Sequence, residues 1–196
     1  MDNLDFLKAI DALKRGKIIV YPTDTLYGIG ADIYNKSAVR KVFLIKKRSF
    51  DNPLSVAVCS IDEIEKIAYL NKTSRNLAEL FLPGRLTLIL NKKDIIPDIV
   101  TSGLEKVAIR IPDNNVALRL LNEFGPLTAT SANLHGKKTP VFIKDIIMQF
   151  KEGDISSYLD TGRVQGKPST IVDATEEKIR IIRLGTITEK EILEAI

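Results

Sequence analysis

The sequence predicts an α/β (α+β) fold on a mixed parallel and antiparallel sheet with flanking helices, and three observations lead there. Through the first two thirds of the chain, segments with helical apolar spacing alternate with short β-branched runs, as an α/β architecture requires. The last third instead carries short strand candidates at turn-sized spacings, which need antiparallel partners. The composition is that of an ordinary globular chain, with 196 residues, 44% hydrophobic and 28% charged, and size scaling lets about 70% of the extended surface be buried.

The elements follow in order. Leu4, Leu7, Ile10 and Leu13 recur at helical spacing and stop at Gly16, a residue suited to the left-handed conformation that ends a helix. Lys17 to Tyr21 then reads as a short buried strand. Lys36 to Lys47 is helical, Leu54 to Cys59 extended, and Ser60 to Ala68 helical with a Ser60/Glu63 capping box. Thr73 caps a helix reaching Phe81. Leu86 to Leu90 and Val107 to Ile111 are strands, Val116 to Phe124 a helix, and Pro126 to Ala129 a strand. Tyr158 to Asp160, Thr170 to Ala174 and Lys178 to Arg183 are short strands, and a last helix starts at a Thr188/Glu191 capping box. No repeat, low-complexity tract or linker interrupts the chain, so one domain over residues 1–196 is expected.

The rare residues narrow the chemistry. One cysteine, Cys59, and one histidine, His135, exclude a disulfide framework, a zinc cage and a Cys-His nucleophile pair. The acidic, amphipathic N-terminus lacks the basic start and apolar core of a signal peptide, and no window approaches 18 uninterrupted apolar residues. A soluble, cytoplasmic protein with no membrane partner is expected. Lys plus Arg is 29 and Asp plus Glu 25, a net charge of +4. Six basic residues and no acidic one fall between Ile33 and Phe50, so the excess is local.

Several segments carry candidate chemistry. Tyr21 to Gly30 follows a strand and gathers hydroxyls, a carboxylate and two glycines; it reads either as a self-bonded polar turn or as a ligand loop. It lacks the third glycine of a dinucleotide fingerprint, and no P-loop motif occurs. On the helix from Ser37, Lys46 falls between Val42 and Phe43 on the apolar face. Its stem either packs while the ammonium reaches water, or Lys46 and Arg48 form an anion site. Thr128 to Asn133 is a run of hydroxyl and amide groups fit for phosphate oxygens. Ser131 has no histidine base or nucleophile elbow around it, which disfavours a hydrolase. Gly166 to Thr170 and Arg183 to Gly185 are further candidates for the same cleft.

Together these segments resemble the threonylcarbamoyl-AMP synthase, or YrdC-like, family. The resemblance rests on the PTDTLYGIG loop at 22–30, Lys46-x-Arg48 with Asn52-Pro53-Leu54, Pro83-Gly84-x-Leu86-Thr87, Val107 to Pro112, Ser131-Ala132-Asn133, Ser169-Thr170-Ile171 and Arg183-x-Gly185. The motifs run in family order from residue 17 to 185. The resemblance implies a twisted sheet around a basic cavity. It also implies an enzyme that joins L-threonine, bicarbonate or CO2, and ATP with its Mg2+ into threonylcarbamoyl-adenylate and pyrophosphate, without a protein-built metal site. The product would feed a downstream threonylcarbamoyl transferase that modifies tRNA. By the same resemblance Lys46 and Arg48 are the catalytic residues and, with Asn52, Ser131, Asn133, Thr139 and Arg183, bind ATP, while Thr25, Arg110 and Ser169 bind L-threonine.

The chain departs from the family pattern at Arg85, where proline is frequent, and at Ala57, where some members carry histidine. It ends at 196 with a helix, so the additional C-terminal domain of longer members is expected to be absent. Two alternatives stand beside the synthase: a paralogue of the same fold that does not make the adenylate, and an RNA-binding protein using residues 36–48. Aromatics are 6% of the chain, a poor supply for base stacking.

Overall fold

Two sheets organise residues 3–196, the part of the chain that the computed structural model describes. In chain order the elements are α1 (Asn3–Lys14), β1 (Ile19–Tyr21), β2 (Gly28–Gly30), α2 (Lys36–Lys46), β3 (Val56–Ala57), α3 (Ile61–Ile67), β4 (Ala68–Tyr69), α4 (Lys72–Phe81), β5 (Leu86–Lys92), α5 (Asp98–Thr101), β6 (Lys106–Arg110), α6 (Asn115–Phe124), β7 (Leu127–Thr128), β8 (Thr130–Ser131), α7 (Ile143–Ile147), β9 (Ser157–Tyr158), β10 (Thr170–Asp173), β11 (Arg180–Arg183) and α8 (Glu189–Leu193). The larger sheet has the order β11-β10-β5-β6-β3-β7, with β4 also on β5, and the smaller has the order β8-β2-β1-β9. Both are mixed, as expected. In the larger, β10 runs parallel to β5 and β3 to β6, while β5 and β6 are antiparallel. In the smaller, β1 is antiparallel to β2 and parallel to β9.

The strand entering β1 is buried on both faces, and its alternation sorts the core. Ile18 and Val20 join the main apolar cluster, with Val39, Val42 and Phe43 of α2 and Leu86, Leu88 and Leu90 of β5. Ile19 and Tyr21 face the other way, into a second cluster with Phe6, Ile10 and Leu13 of α1 and Leu120 and Leu121 of α6. This is the period-two geometry of a strand with apolar layers on both sides.

The sheets are joined by one short run. β7 pairs with β3, then the Ala129 N–H donates to Ser55 O at 2.7 Å, and β8 pairs with β2. The chain thus changes sheets at Ala129. Thr128 reinforces the seam: its N–H donates to Ala31 O, and its hydroxyl to Ile29 O at 3.0 Å.

Some local expectations are corrected. Gly28–Gly30 is strand rather than loop, and a Cβ on Gly30 would lie 3.0 Å from the Tyr21 ring. The small residue therefore seats an aromatic side chain. Helix α4 begins at Lys72, capped by Asn71 in a reciprocal box with Ser74, because the Asn71 amide oxygen accepts from the Ser74 N–H and so starts the helix two residues before a cap at Thr73 would. Of the Ser60/Glu63 box only the serine half forms, since Glu63 turns to Lys66 at 2.5 Å. The Thr188/Glu191 box is complete. Among the described residues, no helix is long and apolar enough to cross a membrane.

Candidate active site

A cavity of about 490 Å³ opens where the two sheets meet, with Tyr21, Gly28, Ala57 and Ala129 in its wall. Of the catalytic and binding candidates named from the sequence, all line it except Lys46 and Asn52. They fall into two clusters whose hydrogen-bond networks share no side chain.

The first cluster is built on the end of α2. Lys47 takes a left-handed conformation, φ 52°, and the Lys47 and Arg48 N–H groups bond back to Leu44 O and Phe43 O. This cap reverses the chain between one residue and the next but one. Lys46 therefore points into the protein and Arg48 toward the cavity, which gives the Lys-x-Arg spacing its physical meaning. The Lys46 side chain is 1% exposed and its ammonium does not reach water. It donates to Ser131 O and, at 2.6 Å, to Asn133 O, while its own carbonyl accepts from the His135 N–H. Burial, and then the neighbouring Arg48 charge, lower Lys46 to about 7. Lys46 is thus a strut under the 131–135 loop rather than part of the cavity wall. Above it, Ser131 and Thr139 hydroxyls donate to Asn133 Oδ1, and Asn133 Nδ2 donates to Leu134 O and Lys137 O. The Arg48 guanidinium donates to Asn52 O at 3.0 Å and Pro53 O at 2.8 Å. Asn52 enters the network through its carbonyl alone; its side chain is exposed.

The second cluster gathers around Arg110, at the end of β6. Its Nη1 donates to Thr25 Oγ1 at 3.0 Å, and its Nη2 pairs with Asp24 and approaches Gly84 O. Thr25 is in turn paired with Thr23 at 3.0 Å. Ser169 Oγ meets Thr87 Oγ1 at 2.8 Å, and Arg183, exposed at the rim, donates to Ser169 O at 2.8 Å. A Cβ on Gly185 would sit 2.2 Å from Pro168 O, so only glycine lets β11 bring Arg183 this close. Burial, then the Arg110 charge, lower Arg183 below the ordinary guanidinium value. Among the described residues, neither Arg48 nor Arg183 forms an ion pair, whereas Arg110 does.

A family model named Sua5_yciO_yrdC and described as "Telomere recombination" matches residues 11–185. The chain belongs to the Sua5/YciO/YrdC family. A putative threonylcarbamoyl-AMP synthase of Methanocaldococcus jannaschii is 44% identical over 94% of this chain and 86% of its own. The threonylcarbamoyl-AMP synthase of Pyrococcus abyssi is 35% identical over 94% of this chain. The crystal structure of P. abyssi Sua5 complexed with L-threonine superposes with a TM-score of 0.93 at 34% identity, covering 100% of this chain and 58% of that one. This chain spans 55% of the curated P. abyssi relative, so it corresponds to about half of that longer protein.

Within this family frame the two departures acquire positions. Ala57 is fully buried and lines the cavity, leaving a methyl group where some members have an imidazole. Arg85 is exposed and outside the lining, so its charge does not enter the cavity wall. Sequence reasoning passed over Asp24 and Thr87 as site residues. Both stand inside the quoted motifs, but their partners, Arg110 and Ser169, lie far away in sequence.

Proposed function

We propose that this protein is an L-threonylcarbamoyladenylate synthase whose residues 1–196 act as one cytoplasmic catalytic domain. The observation that carries this reading is one cavity with two guanidinium clusters of different construction. One is a guanidinium without a carboxylate among Ser131, Asn133 and Thr139; the other is a guanidinium fork among Thr25, Thr87 and Ser169. Family membership, the names of the relatives and the threonine complex of P. abyssi Sua5 support it.

The Arg110 fork, with Thr25 and Ser169, receives the carboxylate and hydroxyl of L-threonine, for which a planar guanidinium is well shaped. Arg48, Ser131, Asn133, Thr139 and Arg183 receive the triphosphate of ATP, carried as its magnesium complex. The threonine nitrogen adds to CO2, which bicarbonate supplies with loss of water, and releases a proton to give a carbamate. A carbamate oxygen then attacks the α-phosphorus, the bond from that phosphorus to the bridging oxygen breaks, and pyrophosphate leaves. No covalent enzyme intermediate is required, so positioning and charge stabilisation carry the catalysis. Lys46 contributes by holding the loop that presents Ser131 and Asn133. The adenylate then passes to a threonylcarbamoyl transferase acting on tRNA. Exposed Lys36, Arg40 and Lys47 offer this chain a contact with tRNA phosphates, and a steep salt dependence of RNA binding is its expected mark.

Purified protein incubated with Mg-ATP, labelled bicarbonate and L-threonine should release pyrophosphate only when threonine is present. Folded protein that binds ATP yet releases none overturns the reading.

A further inference from the structure

Asp24 lies in the second cluster but does not line the cavity. Its side chain is 7% exposed, and it stands behind Arg110, whose own side chain is 10% exposed. One carboxylate oxygen, Oδ1, accepts from Arg110 Nη2, while the other, Oδ2, is buried with no partner. Arg110 Nε is likewise buried and unpartnered. Both orphan atoms belong to one ion pair, where a two-point fork would join Nε–H to Oδ2 beside the existing Nη2–Oδ1 contact. The rest of the guanidinium is pinned by Thr25 and Gly84. Arg110 therefore meets the cavity already neutralised, whereas Arg48 is held by the carbonyls of Asn52 and Pro53 and keeps its full charge.

We propose that Asp24 is a positioning residue that sets anion selectivity. By orienting Arg110 and cancelling its charge, it fits the subsite of Arg110, Thr25 and Ser169 to a zwitterion, an α-amino acid bringing one carboxylate and one ammonium, and keeps polyphosphates out of it, while the unpaired Arg183 at the rim is left for the triphosphate. This rests on the reading above that the Arg110 cluster takes the amino acid. The physical basis is simple. A single carboxylate, offset by the ammonium of the same ligand, still accepts hydrogen bonds from the paired guanidinium, but each further negative charge on the ligand meets Asp24 at short range in a poorly solvated site. Pyrophosphate, a fragment of one substrate and a product of the reaction, is the competitor most in need of exclusion.

The test is equilibrium titration with pyrophosphate and L-threonine, without ATP. For the unmodified protein, one pyrophosphate per chain is expected, with threonine affinity unchanged when that site is filled. In Asp24→Asn, a second pyrophosphate should bind, and saturating pyrophosphate should lower the apparent threonine affinity by about tenfold or more, the worth of one charge-assisted interaction. A residue that only supports the fold would weaken both ligands together and create no second site. Asp24→Glu, which retains the charge, should restore exclusion of the second pyrophosphate. Pyrophosphate that competes with threonine in the unmodified protein overturns the proposal without any variant, and so does an Asp24→Asn protein that still binds one. If threonine fails to bind the unmodified protein, the functional reading fails, while the pyrophosphate stoichiometry still judges Asp24.

Discussion

At Arg48 the guanidinium is held by two backbone carbonyls, and at Arg110 it is held by a buried carboxylate. Carbonyls orient a cation without cancelling it; a carboxylate does both. The same side chain, in one cavity, thus stands in two electrostatic settings, and the proposed function gives the first to a polyanion and the second to an amino acid. The supports differ as well. Arg48 follows a helix cap, and its neighbours Ser131 and Asn133 sit on a loop propped by a buried lysine, while Arg110 projects from the end of a central strand of the larger sheet.

The largest break in this comparison is expected at Arg48. Arg48→Ala should lower turnover on the order of 10²-fold or more, as removing one preorganised charge-stabilising donor does, with the thermal midpoint little changed. Steady-state kinetics with pyrophosphate detection reads this, and unchanged turnover removes Arg48 from the reaction. Next, Arg110→Ala should raise the KM for L-threonine by roughly 10- to 100-fold, the worth of a hydrogen bond to a charged group, while leaving the KM for ATP nearly constant. An equal rise in both would merge the two clusters into one.

Lys46→Met sharpens the comparison by removing the strut while keeping its bulk. It leaves Ser131 O and Asn133 O without this partner, so the KM for ATP should rise by about tenfold with threonine affinity less affected. It also has a signature in pH. Native Lys46 titrates near 7, below the ordinary 10.5, so between those values the unfolded chain binds more protons and stability rises with pH. Below 7 both states are protonated and the cost of burying the charge is complete. Denaturation midpoints at pH 7 and pH 9 should show stability rising by up to about 1.4 kcal/mol per pH unit in the parent relative to Lys46→Met. Parallel curves for the two proteins would contradict the burial of the amine. The smallest effect belongs to Lys47→Gly. It relieves a side chain held at φ 52° and should stabilise the protein by up to about 1 kcal/mol, leaving kinetics unaltered.

The long helices and central strands were legible because their burial is periodic. The inward face of Lys46 came from the same arithmetic, and its 1% exposure bears that out. What the ammonium meets was not legible, since Ser131 and Asn133 lie more than eighty residues away and no periodicity links them. Two-residue strands such as β3, β7 and β8 are set by the neighbours they pair with, so the crossing between sheets at Ala129 had no local signature. Gly28 and Gly30 were readable as special, but the Tyr21 ring that fills the space beside them becomes visible only once β1 and β2 pair in register. The cavity residues were found through family motifs. Asp24 escaped because an acid between two threonines is also an ordinary turn, and its meaning depends on Arg110 arriving from β6.

Whether one cavity holds two substrates in two differently charged clusters is tested most directly by calorimetric titration of L-threonine in the absence and presence of a saturating non-hydrolysable ATP analogue. The account predicts one threonine and one nucleotide per chain, bound together, with neither displacing the other. Mutual displacement, or a nucleotide that abolishes threonine binding, would contradict it.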